Sequence, residues 1–230
     1  MALIKCHLNY LFNKRTIWML VAVVAIAFLV FTLNAAGLDE ARGYRENNAI
    51  YFRTSFLTVK LLVVFFAVFL VCDFFSPHNS QYYYLISCQV SRACYFTTKL
   101  AIVAFLETGF IFLLYMSFQM AGTAFYSEFV FSGRICASFA RLFVYVFFYG
   151  LLALALYQVL NNSYVIIVVF SLSILSTIAN EDGSTNSVLN HFLLYLDEEG
   201  CFPYHPHHAL LLIVFLLAGN LLIFMFGDCK

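Results

Sequence analysis

The sequence predicts an all-α integral membrane protein. Six transmembrane helices are expected, with an amphipathic N-terminal helix, a helix at one membrane face between the second and third spans, and a short helical insertion between the fifth and sixth. Three observations lead there. Residues 142–180 carry no charge. As one helix they would run roughly 58 Å at about 1.5 Å per residue, nearly twice the roughly 30 Å hydrocarbon core of a bilayer. The polar triplet Asn161-Asn162-Ser163 divides them into two passes. The composition is 63% hydrophobic and 10% charged, against about 25% charged in a soluble domain, and the mean hydropathy is +0.90. So few charges cannot cover a water-facing surface, and spans with short loops use up 1–230 as one transmembrane domain.

Residues 1–15 place Ile4, Leu8, Leu11 and Phe12 on one side of a helical wheel, with Lys5, His7, Asn9 and Asn13 elsewhere. That pattern predicts a helix lying at the membrane surface. The first span, 16–36, is longer than the apolar core of a signal peptide and reads as retained. A polar connection, GLDEARGYRENNAIYFRT (37–54), leads to the second span, 55–75, which carries Lys60 and ends beside Asp73. Residues 76–98 are too polar to span and open with Ser76-Pro77, a helix-start signal.

The third span, 99–121, holds one acid, Glu107. The fourth, 135–160, has Arg141 near its start, and the fifth, 164–179, is short at about 24 Å. Residues 180–208 follow; within them Val188, Phe192 and Tyr195 recur at helical spacing before Asp197-Glu198-Glu199-Gly200 and CFPYHPHH. The sixth span is 209–226. An even count puts both termini on one side. Lys5, Lys14, Arg15, Arg92, Lys99 and Lys230 fall on that side, and Arg42, Arg45, Arg53 and Arg134 on the other. The surplus favours cytoplasmic termini, with 180–208 outside the cell.

Net charge is zero and no long basic run occurs, so nucleic acid is not an expected partner. The seven cysteines are scattered without a C-x-x-C pair and read as small apolar residues. There is no G-x-x-x-x-G-K-S/T phosphate loop, H-E-x-x-H, G-x-S-x-G or G-x-G-x-x-G, so the chain shows no catalytic site of its own. His205, His207 and His208 with Cys201 and nearby acids invite a metal reading, but the spacing matches no standard site, and a stiff turn entering the sixth span is expected instead.

Ionisable residues inside spans mark functional positions, because lipid exposure costs about 2.5–3.5 kcal/mol or more. Lys60 is near enough to its span's end to snorkel. Glu107 lies deeper and is expected to face protein or a path for substrate or protons. Their depths, about 10 Å apart on straight helices, argue against a direct ion pair. Tyr82-Tyr83-Tyr84, Tyr95 and Phe96 suit either a headgroup belt or a surface for a cytoplasmic protein.

In its order of elements the chain resembles the permease subunits of ABC-2 type exporters. The closest local likeness is VSRACYFTTKL at 90–100, similar to that family's Ser-Arg stretch leading into the third span. The resemblance implies that 76–98 is a cytoplasmic coupling helix seated in an ATP-binding cassette subunit, with Gln81, Tyr84, Gln89, Ser91 and Arg92 at the contact. It implies that ATP and Mg²⁺ bind that partner, and that a second permease subunit, identical or homologous, completes the assembly. It also implies that 180–208 caps the translocation path, for which Lys60 and Glu107, as ionisable residues inside spans, are the candidate residues. Where the family often has an acid and then a proline before the Ser-Arg pair, this chain has Ser80-Gln81 and Gln89-Val90. The expected cargo is a peptide or another amphipathic or lipophilic molecule. The rival expectations are an ion-coupled transporter or channel using Glu107, a metal-dependent membrane enzyme or sensor using the histidines, and a non-transporting scaffold or immunity protein.

Overall fold

The computed structural model describes residues 14–38, 44–76, 91–125, 132–181, 192–203 and 206–226. They form six α-helices: α1 Lys14–Ala36, α2 Tyr44–Phe74, α3 Arg92–Phe125, α4 Gly133–Leu160, α5 Val165–Glu181 and α6 Pro206–Phe226. Among the described residues there are no strands. All of these helices except α5 are long and apolar enough to cross a membrane, which makes this an α-helical, multi-pass membrane protein.

Successive helices alternate in direction. At the proximal face, where α1 begins, the end of α2 meets the start of α3, and the end of α6 lies beside it. At the distal face, Asn34 near the end of α1 donates to Ser55 of α2 at 3.0 Å, and Tyr51 of α2 donates to the Phe118 carbonyl of α3 at 2.9 Å. Helices α2, α3 and α4 pack against one another at the centre; α1 lies on α2 and α3, α5 on α2 and α4, and α6 on α3 and α4. The outer faces of α1 and α6 present Trp18, Leu29, Leu33, Phe215 and Phe226, as lipid-facing helices do.

Two helices begin earlier than the hydropathy of their spans predicts. Helix α2 starts at Tyr44 rather than 55, so most of the polar connection is helical. Its first turns are held by protein contacts: Asn47 and Tyr51 are buried, and the Tyr51 ring stacks on Phe118 at 4.6 Å. Helix α3 starts at Arg92 rather than 99, with the Cys94 amide donating to Ser91 Oγ at 3.3 Å. Residues 92–98, expected at the membrane face, are thus continuous with the third span. Tyr95 and Phe96 are buried there against Phe224 of α6.

The α4–α5 hairpin turns at Asn161, whose backbone is left-handed (φ 47°) and whose amide donates to the Tyr157 carbonyl at 2.8 Å. Asparagine tolerates that conformation better than most residues. Helix α5 has 17 residues against 28 in α4, so it falls about 16 Å short of the distal end of its neighbour. Residues 192–203 pack above it.

Of the insertion, 182–191 with Val188 lie outside the described residues; Phe192 is helical, and residues 193–203, Tyr195 among them, are non-helical. Leu193, Leu194, Tyr195 and Leu196 are nevertheless all buried. Residues 1–13, 77–90 and 204–205 lie outside the described residues, and with them the N-terminal surface helix and most of the coupling segment.

Candidate functional site

A backbone that leaves helical geometry inside a membrane protein must find partners for its carbonyls, because each unsatisfied group costs several kcal/mol in hydrocarbon. Residues 194–200 find them in side chains from three helices. Lys60 Nζ of α2 donates to the Leu196 carbonyl at 2.9 Å. Tyr149 of α4 donates to the Leu194 carbonyl at 3.0 Å, which Ser176 of α5 also approaches at 3.5 Å. Ser138 of α4 donates to the Glu199 carbonyl at 2.8 Å, and Arg141 Nη1 reaches the Gly200 carbonyl at 3.3 Å and Cys201 Sγ at 3.2 Å.

Lys60 therefore does not snorkel. It is 1% exposed, and its ammonium lies 5.9 Å and 5.4 Å from the centroids of Tyr145 and Tyr195. The segment that covers it makes the difference: Tyr195 and the Leu196 carbonyl supply inside the bundle what the interface would otherwise supply.

The tip of the segment is a turn closed on itself. The Asp197 amide donates to the Cys201 carbonyl at 3.0 Å, the Gly200 amide to the Asp197 carbonyl at 3.1 Å, and the Cys201 amide to Asp197 Oδ1 at 2.6 Å. Gly200 has φ +71°, and a Cβ there would come within 2.4 Å of Ser138 Cβ. Glycine is needed at this position twice, for the left-handed backbone and for the close approach to α4. At the rim, Arg53 Nε pairs with Glu198 at 2.6 Å, both side chains partly exposed. Beside it opens a cleft of about 710 Å³ between the distal ends of α2 and α4, lined by Glu46, Phe52, Arg53, Arg134, Ser138 and Glu199.

Glu107 occupies a separate level. Its Oε1 and Val71 Cγ2 each lie 3.4 Å from where a Cβ on Gly150 would sit, and Val71 is three turns beyond Lys60 along α2, about 16 Å. Glu107 is 1% exposed, and among the described residues neither carboxylate oxygen has a hydrogen-bond partner. A carboxyl so placed carries a desolvation cost.

The two path residues named from sequence, Lys60 and Glu107, are thus both buried in the bundle but are not brought together. Of the coupling residues, Ser91 and Arg92 stand exposed at the proximal face, where Arg92 Nη1 donates to the Met225 carbonyl at 3.1 Å. Gln81, Tyr84 and Gln89 lie outside the described residues. His207 is exposed and His208 half-buried at the start of α6, and His205 is not described. Among the described residues no group of three His, Cys, Asp or Glu side chains is placed to hold a metal. Described cysteines are free; Cys72 is buried, whereas Cys94 and Cys136 are exposed rather than buried as their apolar surroundings suggest.

Sequence reasoning passed over Ser138, Tyr149, Ser176 and Gly200. Arg141, an arginine inside an apolar block, was the one signal available for this cluster. Comparison with protein-family models, with curated proteins and with solved structures returned no match to this chain.

Proposed function

We propose that this chain is the membrane-spanning subunit of an ATP-driven ABC exporter of the ABC-2 type, forming the path for a peptide or another amphipathic or lipophilic cargo. All six helices would cross the membrane, with both termini in the cytoplasm. The observation that carries this reading is the packing of α2 against α5 with residues 192–203 seated over the distal end of α5 and against the middle of α2. Second and fifth spans lining a path, closed on one side by the segment between spans five and six, are what such a permease requires. ATP and Mg²⁺ would bind a separate cassette subunit docked near Ser91 and Arg92, and a second permease would complete the path. Closure of the motor would shift the spans as rigid bodies between two packings.

The test is affinity purification of the full chain from its native host in mild detergent, followed by ATPase assay of what co-elutes. Arg92→Glu is compared with wild type, and Arg92→Gln serves as a control that loses the Met225 contact without reversing charge. A co-eluting nucleotide-binding subunit whose recovery or turnover falls in Arg92→Glu and not in Arg92→Gln supports the reading. A chain that purifies without a hydrolytic partner sinks it.

The buried carboxylate of Glu107, without a hydrogen-bond partner among the described residues, favours a second reading, an ion-coupled transporter or channel. That reading expects pH-dependent flux in vesicles containing this chain alone, and its loss in Glu107→Gln.

A further inference from the structure

Residues 194–200 lie in a slot where five polar side chains act toward them as donors. Lys60, Ser138, Tyr149 and Ser176 are each at most 3% exposed, and with Arg141 they direct N–H or O–H groups at main-chain carbonyls. Arg141 also reaches the sulfur of Cys201, just beyond the segment. Such a surface reads peptide backbone rather than sequence, as strand-capturing sites do. Leu194, Tyr195 and Leu196 fill the apolar remainder.

We propose that this slot is a cargo site for a non-helical peptide whose leading side chains are apolar, and that residues 194–200 are its resident stand-in, which cargo displaces. The proposal rests on the permease reading and names the substrate class of that permease. Displacement exchanges carbonyl for carbonyl, so no buried donor is left unpaired by it. The turn at 197–201 is closed by its own hydrogen bonds and can leave as a unit, parting the half-exposed Arg53–Glu198 pair at the rim while cargo takes over the donors and the apolar space below. Lys60 and Arg141 set the preference: acceptor-rich or anionic segments are favoured and cationic ones repelled.

The test uses a fluorescein-labelled synthetic peptide, LLYLDEEG, and the full chain in nanodiscs without nucleotide or partner, read by anisotropy. A resident segment lowers the apparent affinity of any competitor by the fraction of time the slot is open. Gly200→Val, which cannot seat against Ser138, is expected to bind the peptide about tenfold more tightly than wild type. Adding Lys60→Met is expected to remove that gain. Equal affinity in all three proteins, or a gain that survives Lys60→Met, overturns the proposal, the latter because it marks partition into lipid. If Gly200→Val does not fold, Glu198→Ala replaces it, with a smaller gain expected in the same direction and its absence counting against the slot. Because no ATPase takes part, failure here leaves the co-purification result standing, and loss of the ATPase partner leaves the binding result standing.

Discussion

Lys60 and Leu196, 136 positions apart in the chain, meet as ammonium and carbonyl at 2.9 Å beneath the distal face. This contact pins irregular backbone to the middle of α2. Lys60→Met keeps the length of the side chain and removes the donor, leaving a buried carbonyl short of one partner at a cost of about 1–3 kcal/mol. The segment should then open more often. In a background with the remaining cysteines replaced, maleimide labelling of Cys201 is expected to quicken roughly tenfold; an unchanged rate would show that Lys60 does not hold the segment.

Glu107 carries the opposite expectation. Its carboxyl is buried with no hydrogen-bond partner among the described residues, so replacing it by an apolar residue removes a desolvation cost rather than a bond. Glu107→Leu should raise thermal stability in detergent by about 1–3 kcal/mol, a few degrees for a chain of this size. A lower melting temperature would mean that the carboxyl holds the helices together.

Gly150 gives that carboxyl its room. A Cβ at Gly150 would sit 3.4 Å from both Glu107 Oε1 and Val71 Cγ2, and the larger side chain of Gly150→Val would overfill the space, costing about 1–3 kcal/mol. Combining it with Glu107→Ala should recover at least half of the loss. Strict additivity in the double-mutant cycle would sink the contact.

Asn220 fastens α6 to α4. Its amide donates to the Leu151 carbonyl at 3.0 Å and to the Leu216 carbonyl of its own helix at 2.8 Å. Interhelical hydrogen bonds in membranes are worth about 0.6 kcal/mol on average, so Asn220→Leu should lower stability only slightly. Its sharper effect should be on α6 itself: a spin label at Phe215 is expected to gain mobility, and identical spectra would contradict the fastening.

The helices were legible in the sequence because their signal is local. Runs without charge and the break at Asn161 locate α1, α4, α5 and α6 to within a few residues. The starts of α2 and α3 were not legible, since Tyr44 to Thr54 and Arg92 to Thr98 read as polar by hydropathy and are held helical by tertiary contacts, among them Tyr51 on Phe118 and Phe96 on Phe224. The site was least legible of all. Lys60 and Arg141 stood out as charges inside apolar blocks, but their partners are main-chain carbonyls of 194–200, and a carbonyl carries no side-chain identity for a sequence to show. Helical spacing that runs on to Tyr195 does not show that the backbone leaves the helix after Phe192, because spacing reports side chains, while the backbone there is fixed by donors on other elements.

The cations at the start of α3 have a mechanical consequence. Lys99 caps the last turn of α2 through the Phe74 carbonyl at 2.9 Å, with the rings of Phe74, Phe75 and Tyr95 around its ammonium, while Arg92 holds the Met225 carbonyl near the end of α6. Three helix ends are thereby riveted into one handle. Displacing the start of α3 would disturb the Lys99 and Arg92 contacts together, so motion there is shared with the ends of α2 and α6.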